Sequence, residues 1–387
     1  MTGYGVGCYE SESGLGSVMK LRIERDALAD AVAWAARTLP PRPTNPVLSG
    51  VLLVASEDRV SLSSSDLAVS SHVGLDADID EPGEVVVPGK LLADIAKALP
   101  ARPVSIALEG TRTVLHCGRA SFTLPTLPVA DYPVLPTLPP VLGSCSGSDF
   151  AEAIASVAIA ASRDDTLPIL TGIKMELDDD LITLAATDRY RLAMRELPWQ
   201  PASRGVNAQI LVRAKTLSDL ARPLAGVDVV DLALDSSHSL IGFTGGGRRT
   251  TTPVLDGEFP DYRRLLPAEA SSVAVLATAD LIESVKRVKL VVDRPNTPIQ
   301  LDFADGEVLL RAGAGEDAHA TEILECDLTG DPIKIAFNPE YLLEGLSALS
   351  APNAQLAMTL PTRPAVLTAA DGEADYRYLL MPVRLAG

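Results

Sequence analysis

The chain has 387 residues, too many for one ordinary core and enough for two to four domains. Hydrophobic residues make up 47% and charged residues 22%, with no unbroken apolar run long enough to cross a bilayer, so a globular protein is expected and a membrane-spanning helix is not. A net charge of -18 argues against binding nucleic acid over the whole surface, since phosphate is held by lysine and arginine, but it leaves room for a local basic patch. The four cysteines, Cys8, Cys117, Cys145 and Cys326, have neither metal-ligand spacing nor a disulfide pattern. A reducing cytoplasm is the simplest compartment, with no metal and no cofactor expected.

Residues 1–18 are rich in Gly and Ser and lack a basic start or an apolar centre, which predicts a disordered extension and no secretory signal. A short strand is expected at 19–24. A helix capped by Asp26 follows to Arg37, with Leu28, Val32 and Ala35 on its apolar face. The prolines between 40 and 46 end it. Short strands are predicted at 51–54, 60–62, 69–75 and 84–87, then a helix over 89–99 stopped by Pro100, then strands near 104–108, 113–117 and 120–124.

The pattern then repeats. Pro46/Pro168, Leu48/Leu170, Gly50/Gly172 and Asp66/Asp188 are pairs at one constant spacing of 122 residues. Lys90, Leu92, Asp94 and Lys97 return as Lys215, Leu217, Asp219 and Arg222, and Leu217 and Asp219 return again as Leu342 and Glu344, each 125 residues on. Counterparts of the first helix are expected at 149–163 and 280–292, and a strand pair at 299–303 turning at Asp305-Gly306. Proline-rich stretches at 131–140 and 259–267, each containing Asp-Tyr, divide the copies. The expected domains are therefore 19–142, 143–267 and 268–387, after an extension at 1–18. Each unit would hold two helices and about eight short strands, an α+β architecture of helices on curved antiparallel sheets with free edges.

These motifs carry a family resemblance. Segments 42–50, 167–172, 186–192, 255–264, 336–339 and 380–385, in this order, resemble the bacterial DNA polymerase III β subunits, the sliding clamps, over essentially all of 19–387. The resemblance implies three clamp domains per chain and a head-to-tail dimeric ring of pseudo-six-fold symmetry around double-stranded DNA. It implies a processivity factor, not an enzyme, that tethers the polymerase III α subunit. The clamp loader and other proteins with clamp-binding motifs would dock on the same chain through a peptide groove.

The basic residues fit that picture. Arg25, Arg37, Arg42, Lys90, Lys97, Arg102, Arg163, Arg213, Lys215, Arg222, Lys286, Arg287 and Lys289 lie on or beside the expected helices, as does Arg294. Taken alone, such charges complement helix C-termini or form solvated faces. The recurrence Lys90/Lys215 and Lys97/Arg222 favours a DNA-facing lining within an acidic shell. A second constellation is Leu170, Thr187, Leu192, Pro260, Leu265, Leu379, Met381, Pro382 and Val383, fringed by Arg189, Tyr190, Arg191, Arg264 and Arg384. Apolar residues of this kind are core by default, and the resemblance implies that these line the peptide groove.

No catalytic pattern competes. His72, His116, His238 and His319 stand alone, the glycines of 242–247 precede Arg248-Arg249 and not Gly-Lys-Ser/Thr, and Asp178-Asp179-Asp180 reads as a solvated turn. Two other functions remain open: a non-enzymatic β-rich binding scaffold whose repeats are structural, and a specialised second clamp copy.

Overall fold

The computed structural model describes residues 18–267, 269–292, 297–313, 318–371 and 375–384. Residues 1–17 of the expected extension and Arg294 lie outside them. By its internal contacts the chain forms two compact units, Met1–Thr137 with Gly247–Thr250, and Leu138–Gly246 with Thr251–Gly387.

In the first unit α1 (Arg25–Ala36) buries Leu28, Ala31, Val32 and Ala35. Its cap is Glu24, which makes no capping hydrogen bond, so Asp26 is not the cap. Asp26 lies in the first turn, where its charge faces the positive end of the helix. Next comes α2 (Gly89–Ala98), whose Leu92, Ile95 and Ala96 point inward. Leu99 turns extended (ψ 146) because the ring of Pro100 excludes the helical conformation before it. One sheet runs Asp78–Glu81, Met19–Ile23, Val104–Glu109, Arg112–Cys117, Ala120–Pro125 in antiparallel order. Four more strands pair in the order Gly83–Pro88, Gly50–Ser56, Arg59–Ser65, Ser70–Asp76.

The second unit carries α3 (Gly147–Ala158), α4 (Ala214–Leu224), α5 (Thr278–Val288) and α6 (Pro339–Ser347). Two helices end before the sequence predicts: α3 stops at Ala158, where the N–H groups of Ala160 and Ala161 turn back to Val157 and Ala158, and α5 tightens into a 3-10 turn at Lys289–Val291. The cap of α6 follows the rules for a helix start, with Asn338 accepting from the N–H groups of Glu340 (2.9 Å) and Tyr341 (3.4 Å) and Pro339 in the first turn. Its largest sheet runs Asn207–Arg213, Gly172–Asp178, Leu181–Thr187, Arg191–Pro198, Tyr376–Leu380, Ala365–Ala369, Asn353–Met358, Ser272–Ala277, Asp327–Gly330. The central join is antiparallel, with Leu192 opposite Leu379 and Ala193 opposite Tyr378. Residues from two sequence repeats thus share one continuous sheet.

Each repeat contributes nine described strands where about eight are expected from the pattern. The addition is a short edge strand, Asp78–Glu81, Gln200–Pro201 or Asp327–Gly330, paired with the first strand of its repeat. Segments of two to four residues are too short to give an alternation to read. The duplicated 122-residue signature gives the same local structure twice: a 3-10 turn, Pro46–Ser49 or Pro168–Thr171, followed by a strand starting at Gly50 or Gly172. A Cβ on either glycine would run into packed side chains, Val86 and Leu127 in one case and Leu211 and Leu255 in the other. Cys117, Cys145 and Cys326 are buried free thiols.

Under α6 the packing is equally tight. A Cβ at Gly345 would strike the ring of fully buried Tyr378. Gly345→Ala is expected to lower stability by about 1–3 kcal/mol despite the better helix propensity of Ala, to be read as a lower denaturation midpoint at unchanged m-value.

Candidate docking groove and nucleic-acid interface

The groove begins in a turn. Between the strands Leu181–Thr187 and Arg191–Pro198, the Asp188 carboxylate accepts the N–H groups of Tyr190 and Arg191, both at 3.0 Å. The Thr187 hydroxyl accepts from the Arg189 N–H at 3.2 Å and donates to the Arg191 carbonyl at 2.7 Å. These bonds hold Arg189 at φ 80, a left-handed conformation that side chains other than glycine rarely adopt.

The opposite wall is the segment 259–266. Tyr262 is 1% exposed and packs on Ala185, Leu192, Met194 and Leu379, while its hydroxyl donates to Glu176 at 2.8 Å. Glu176 also receives Lys174 at 2.7 Å and Arg263 at 2.6 Å. Burial alone would raise the Glu176 pKa, but the hydrogen bonds from Lys174, Arg263 and Tyr262 outweigh it and hold the carboxyl below its usual range. So anchored, the turn Tyr262–Leu265 presents Leu265, 49% exposed, to solvent.

Between these walls lies a cavity of about 510 Å³ lined by the expected Leu170, Thr187, Arg189, Pro260 and Leu265. Thr166, Leu167, Pro168, Ile169 and Glu258 line it as well; the 167–172 motif contains three of them and the 255–264 motif contains Glu258, while Thr166 lies outside both. A second recess of about 690 Å³ shares Leu167 and Arg189 with the first and adds Tyr190, Arg191, Asn338, Tyr341 and Glu344. Tyr190 is exposed and stacks on Tyr341 with ring centroids 6.5 Å apart.

Leu192 and Leu379 lie beneath the groove in the core. Arg264 is exposed and pairs with Asp261 at 2.8 Å. Met381, Pro382, Val383 and Arg384 follow the last strand, with the Met381 N–H bonded to the Tyr190 carbonyl at 2.9 Å and the Val383 N–H to the Ala336 carbonyl at 2.8 Å. Neither cavity is lined by these last four residues.

Arg191 ties the recess together. It is 4% exposed, yet its guanidinium meets Asp188 at 2.9 Å, the Tyr378 hydroxyl at 3.3 Å and the Glu344 carboxylate, and it stacks 4.3 Å over the Tyr341 ring. Desolvation works against its charge, but Tyr378 and Glu344 outweigh it and keep the guanidinium more basic than usual.

The cations expected to face DNA are mostly exposed. In the first unit Arg37, Arg42, Lys90, Lys97 and Arg102 are exposed, and Arg25 is half-buried, bonded to Asp26 at 2.7 Å and to the Lys97 carbonyl at 2.6 Å. In the second unit Lys215 and Arg222 lie seven residues apart on α4, one helical face, as Lys90 and Lys97 do on α2. Arg163 pairs with Glu344 at 3.6 Å, Arg213 with Asp165 at 3.3 Å and Lys286 with Glu283 at 2.8 Å, while Arg287 pairs with Glu322 and Lys289 with Glu340. Among the described residues no group of three or more His, Cys, Asp or Glu is arranged to hold a metal ion. Asp179, at φ 45, sits in the turn between the strands Gly172–Asp178 and Leu181–Thr187, and Gly246 and Gly247, at φ 57 and 75, form the turn after the strand Leu240–Gly245.

Three family models match this chain in succession: the N-terminal domain of the DNA polymerase III β subunit over residues 19–136, its central domain over 145–261 and its C-terminal domain over 263–384. The chain belongs to the DNA polymerase III β subunit family, the sliding clamps of DNA replication. It is 54% identical over 377 residues to the β sliding clamp of Streptomyces coelicolor, a match covering 95% of this chain and 100% of that one. It is 44% identical over 371 residues to the β sliding clamp homologue GriR of Streptomyces muensis, covering 95% and 99%. Among solved structures, the Pseudomonas aeruginosa clamp bound to griselimycin superposes with a TM-score of 0.88 at 31% identity, over 96% of this chain and 100% of that one. The Caulobacter crescentus clamp gives 0.89 at 30% identity, over 95% and 100%.

Two measurements probe the walls. Arg191→Met leaves Asp188 and Glu344 without their shared cation and is expected to cost about 3 kcal/mol, read by chemical denaturation. Because the folded pKa of Glu176 is depressed, its contribution is present above the ordinary value of 4.5 and is lost as pH falls through the lower folded value. Acid unfolding curves of Glu176→Gln should therefore lie closest to the wild type at the lowest pH and diverge from it as pH rises.

Proposed function

We propose that two copies of this chain close head to tail into a ring around duplex DNA, and that the ring holds the replicative polymerase by an extended tail seated in the groove. The observation that carries this reading is the match of all three clamp domains in order along the chain. We place the domains at 19–142, 143–267 and 268–387. Two free sheet edges support closure: Ala120–Pro125 ends one sheet of the first unit, and Ala320–Glu325 ends a sheet of the second. Both are six-residue strands, and Ile323 stands 59% exposed on the second. An edge that pairs with the unlike edge of another copy makes a heterologous contact, which closes only at the correct rotation.

Basic residues recurring on α2 and α4 would hold the phosphates without reading sequence, and the acidic remainder would discourage binding elsewhere. The half-apolar groove suits a short tail with two or three apolar anchors, as on the polymerase III α subunit, the clamp loader or a repair protein. The chain would do no chemistry of its own and would work in the cytoplasm. A specialised second copy and an unrelated β-rich scaffold draw no support from the full-length matches.

The expected behaviour is topological: retention on nicked circular DNA and loss on linearisation. Equal retention on both forms would overturn the ring. Charge reversal at Lys90, Lys97, Lys215 and Arg222 should weaken retention and flatten its dependence on salt, by a slope of about 0.9 for each phosphate contact removed. Ile323→Asp should yield monomers by light scattering while leaving tail binding measurable.

A further inference from the structure

The turn that carries Arg189 occurs twice in this chain. In the first repeat Ser65, Asp66, Leu67, Ala68 and Val69 make three of the bonds of 187–191: the Ser65 hydroxyl accepts the Leu67 N–H at 3.0 Å, and the Asp66 carboxylate accepts the N–H groups of Ala68 at 2.9 Å and Val69 at 2.7 Å. Leu67 has φ 79 where Arg189 has φ 80. The turn therefore forms without a charge at its left-handed position. The cation at 189 is not required by the fold, yet it occupies a backbone conformation that ordinarily selects glycine or asparagine.

The guanidinium also has no close partner of its own, its interaction with Asp164 being Coulombic at a distance. Among the described residues the Arg189 side chain makes no ion pair and no hydrogen bond, although carboxylates surround it. Each of the nearest is otherwise engaged: Asp188 by Arg191, Glu344 by Arg191 and Arg163, and Glu340 by Lys289. Asp164 accepts the hydroxyl and N–H of Thr166, at 2.7 and 3.0 Å, and these bonds together with the Arg189 charge hold its carboxyl below the usual range. Arg189 lines both the 510 Å³ cavity and the 690 Å³ recess, so an extended tail that fills one and enters the other passes over it. Glu258, on the wall of the first cavity only, disfavours a carboxylate at that end.

Resting on the docking function proposed above, we infer that Arg189 is the specificity-determining residue of the groove, selecting tails that carry a carboxylate side chain next to an apolar anchor, at the crossing between the two cavities. An anion there gains a cation that no close ion pair or hydrogen bond among the described residues already holds, beside apolar walls that weaken solvent screening. A neutral side chain at the same place leaves the guanidinium half-desolvated with nothing in return. The effect is one of discrimination between tails more than of raw affinity.

The test is a positional scan. The probe is a fluorescein-labelled ten-residue peptide from the C-terminus of the polymerase III α subunit of the same genome, with each position replaced in turn by Asp and by Asn, and affinity is read by anisotropy. With the wild-type protein, Asp should bind about three- to tenfold more tightly than Asn at one position beside an apolar anchor, in low salt. That ratio should fall towards one in Arg189→Leu, the residue its twin turn already tolerates, and in Arg189→Gln, and should survive largely in Arg189→Lys. It should also shrink in 0.5 M salt. An Asp/Asn ratio that is the same in wild type and Arg189→Leu at every position overturns the inference while leaving the groove in place. Failure of every peptide, the parent included, to bind the wild-type protein overturns the docking function and the inference with it.

Discussion

The buried guanidinium of Arg191 is the interaction on which the second unit turns. A charge 4% exposed is tolerated only because two carboxylates, a phenol and an aromatic face meet it from different parts of the chain: Asp188 from its own turn, Glu344 and Tyr341 from α6, and Tyr378 from the strand it pairs beside. The sheet pairing of Arg191–Pro198 with Tyr376–Leu380 sets register, and the cation then secures the helix above that sheet. The 690 Å³ recess lies along this line of contact and shares Leu167 and Arg189 with the 510 Å³ cavity. A wall built from elements distant in sequence can stay in place only if a bond of this kind spans them, and a single cation that meets several anions at once does so with fewer side chains ordered than separate pairs would need.

The duplicated turn shows what the clamp fold demands and what it leaves free. The first repeat has Val69 where the second has Arg191, and Leu67 where the second has Arg189, with the same backbone bonds in each. Asp66 and Asp188 are therefore needed for the turn, whereas the arginines serve what surrounds it. The flanks diverge as well. In the first repeat Val47, Leu48 and Val86 are covered by Leu127, Val129 and Tyr132. In the second, the N–H of Leu255 bonds the Leu211 carbonyl as that of Leu127 bonds Val86, but two residues further on stands Gly257 at φ 128 in place of Val129. One copy of the device closes into core, and the other keeps a cavity.

Charge follows a similar division. The net charge of -18 and the basic helices are compatible because α2 and α4 each carry two cations against one acid, Asp94 or Asp219, so the acidic excess lies elsewhere. Lys90 and Lys97 on α2, and Lys215 and Arg222 on α4, keep the seven-residue spacing that puts them on one face. On α5 and just after it, Lys286, Arg287 and Lys289 each have a carboxylate partner, so they offer less uncompensated charge than the other helices.

Periodicity and punctuation were enough to read the three repeats, the six helices and the two glycine-started strands, because those features depend on residues near one another in the chain. Helix ends were read less well: Asp26 matched the composition of a cap, but the cap position is Glu24, two residues earlier, and short edge strands carry no alternation. The residue types of the groove were also legible, through the family motifs at 167–172 and 186–192. What those motifs left open was which residues face the cavity. Leu192 and Leu379 are opposite each other in the sheet and face the core, while Leu170 and Leu265, equally apolar, face the cavity. That choice depends on the antiparallel register between Arg191–Pro198 and Tyr376–Leu380 and on the Tyr262–Glu176 bond, contacts across 86 to 189 residues of sequence. Only the folded chain decides it, since a one-residue slip in that register would turn every side chain of the strand to the other face.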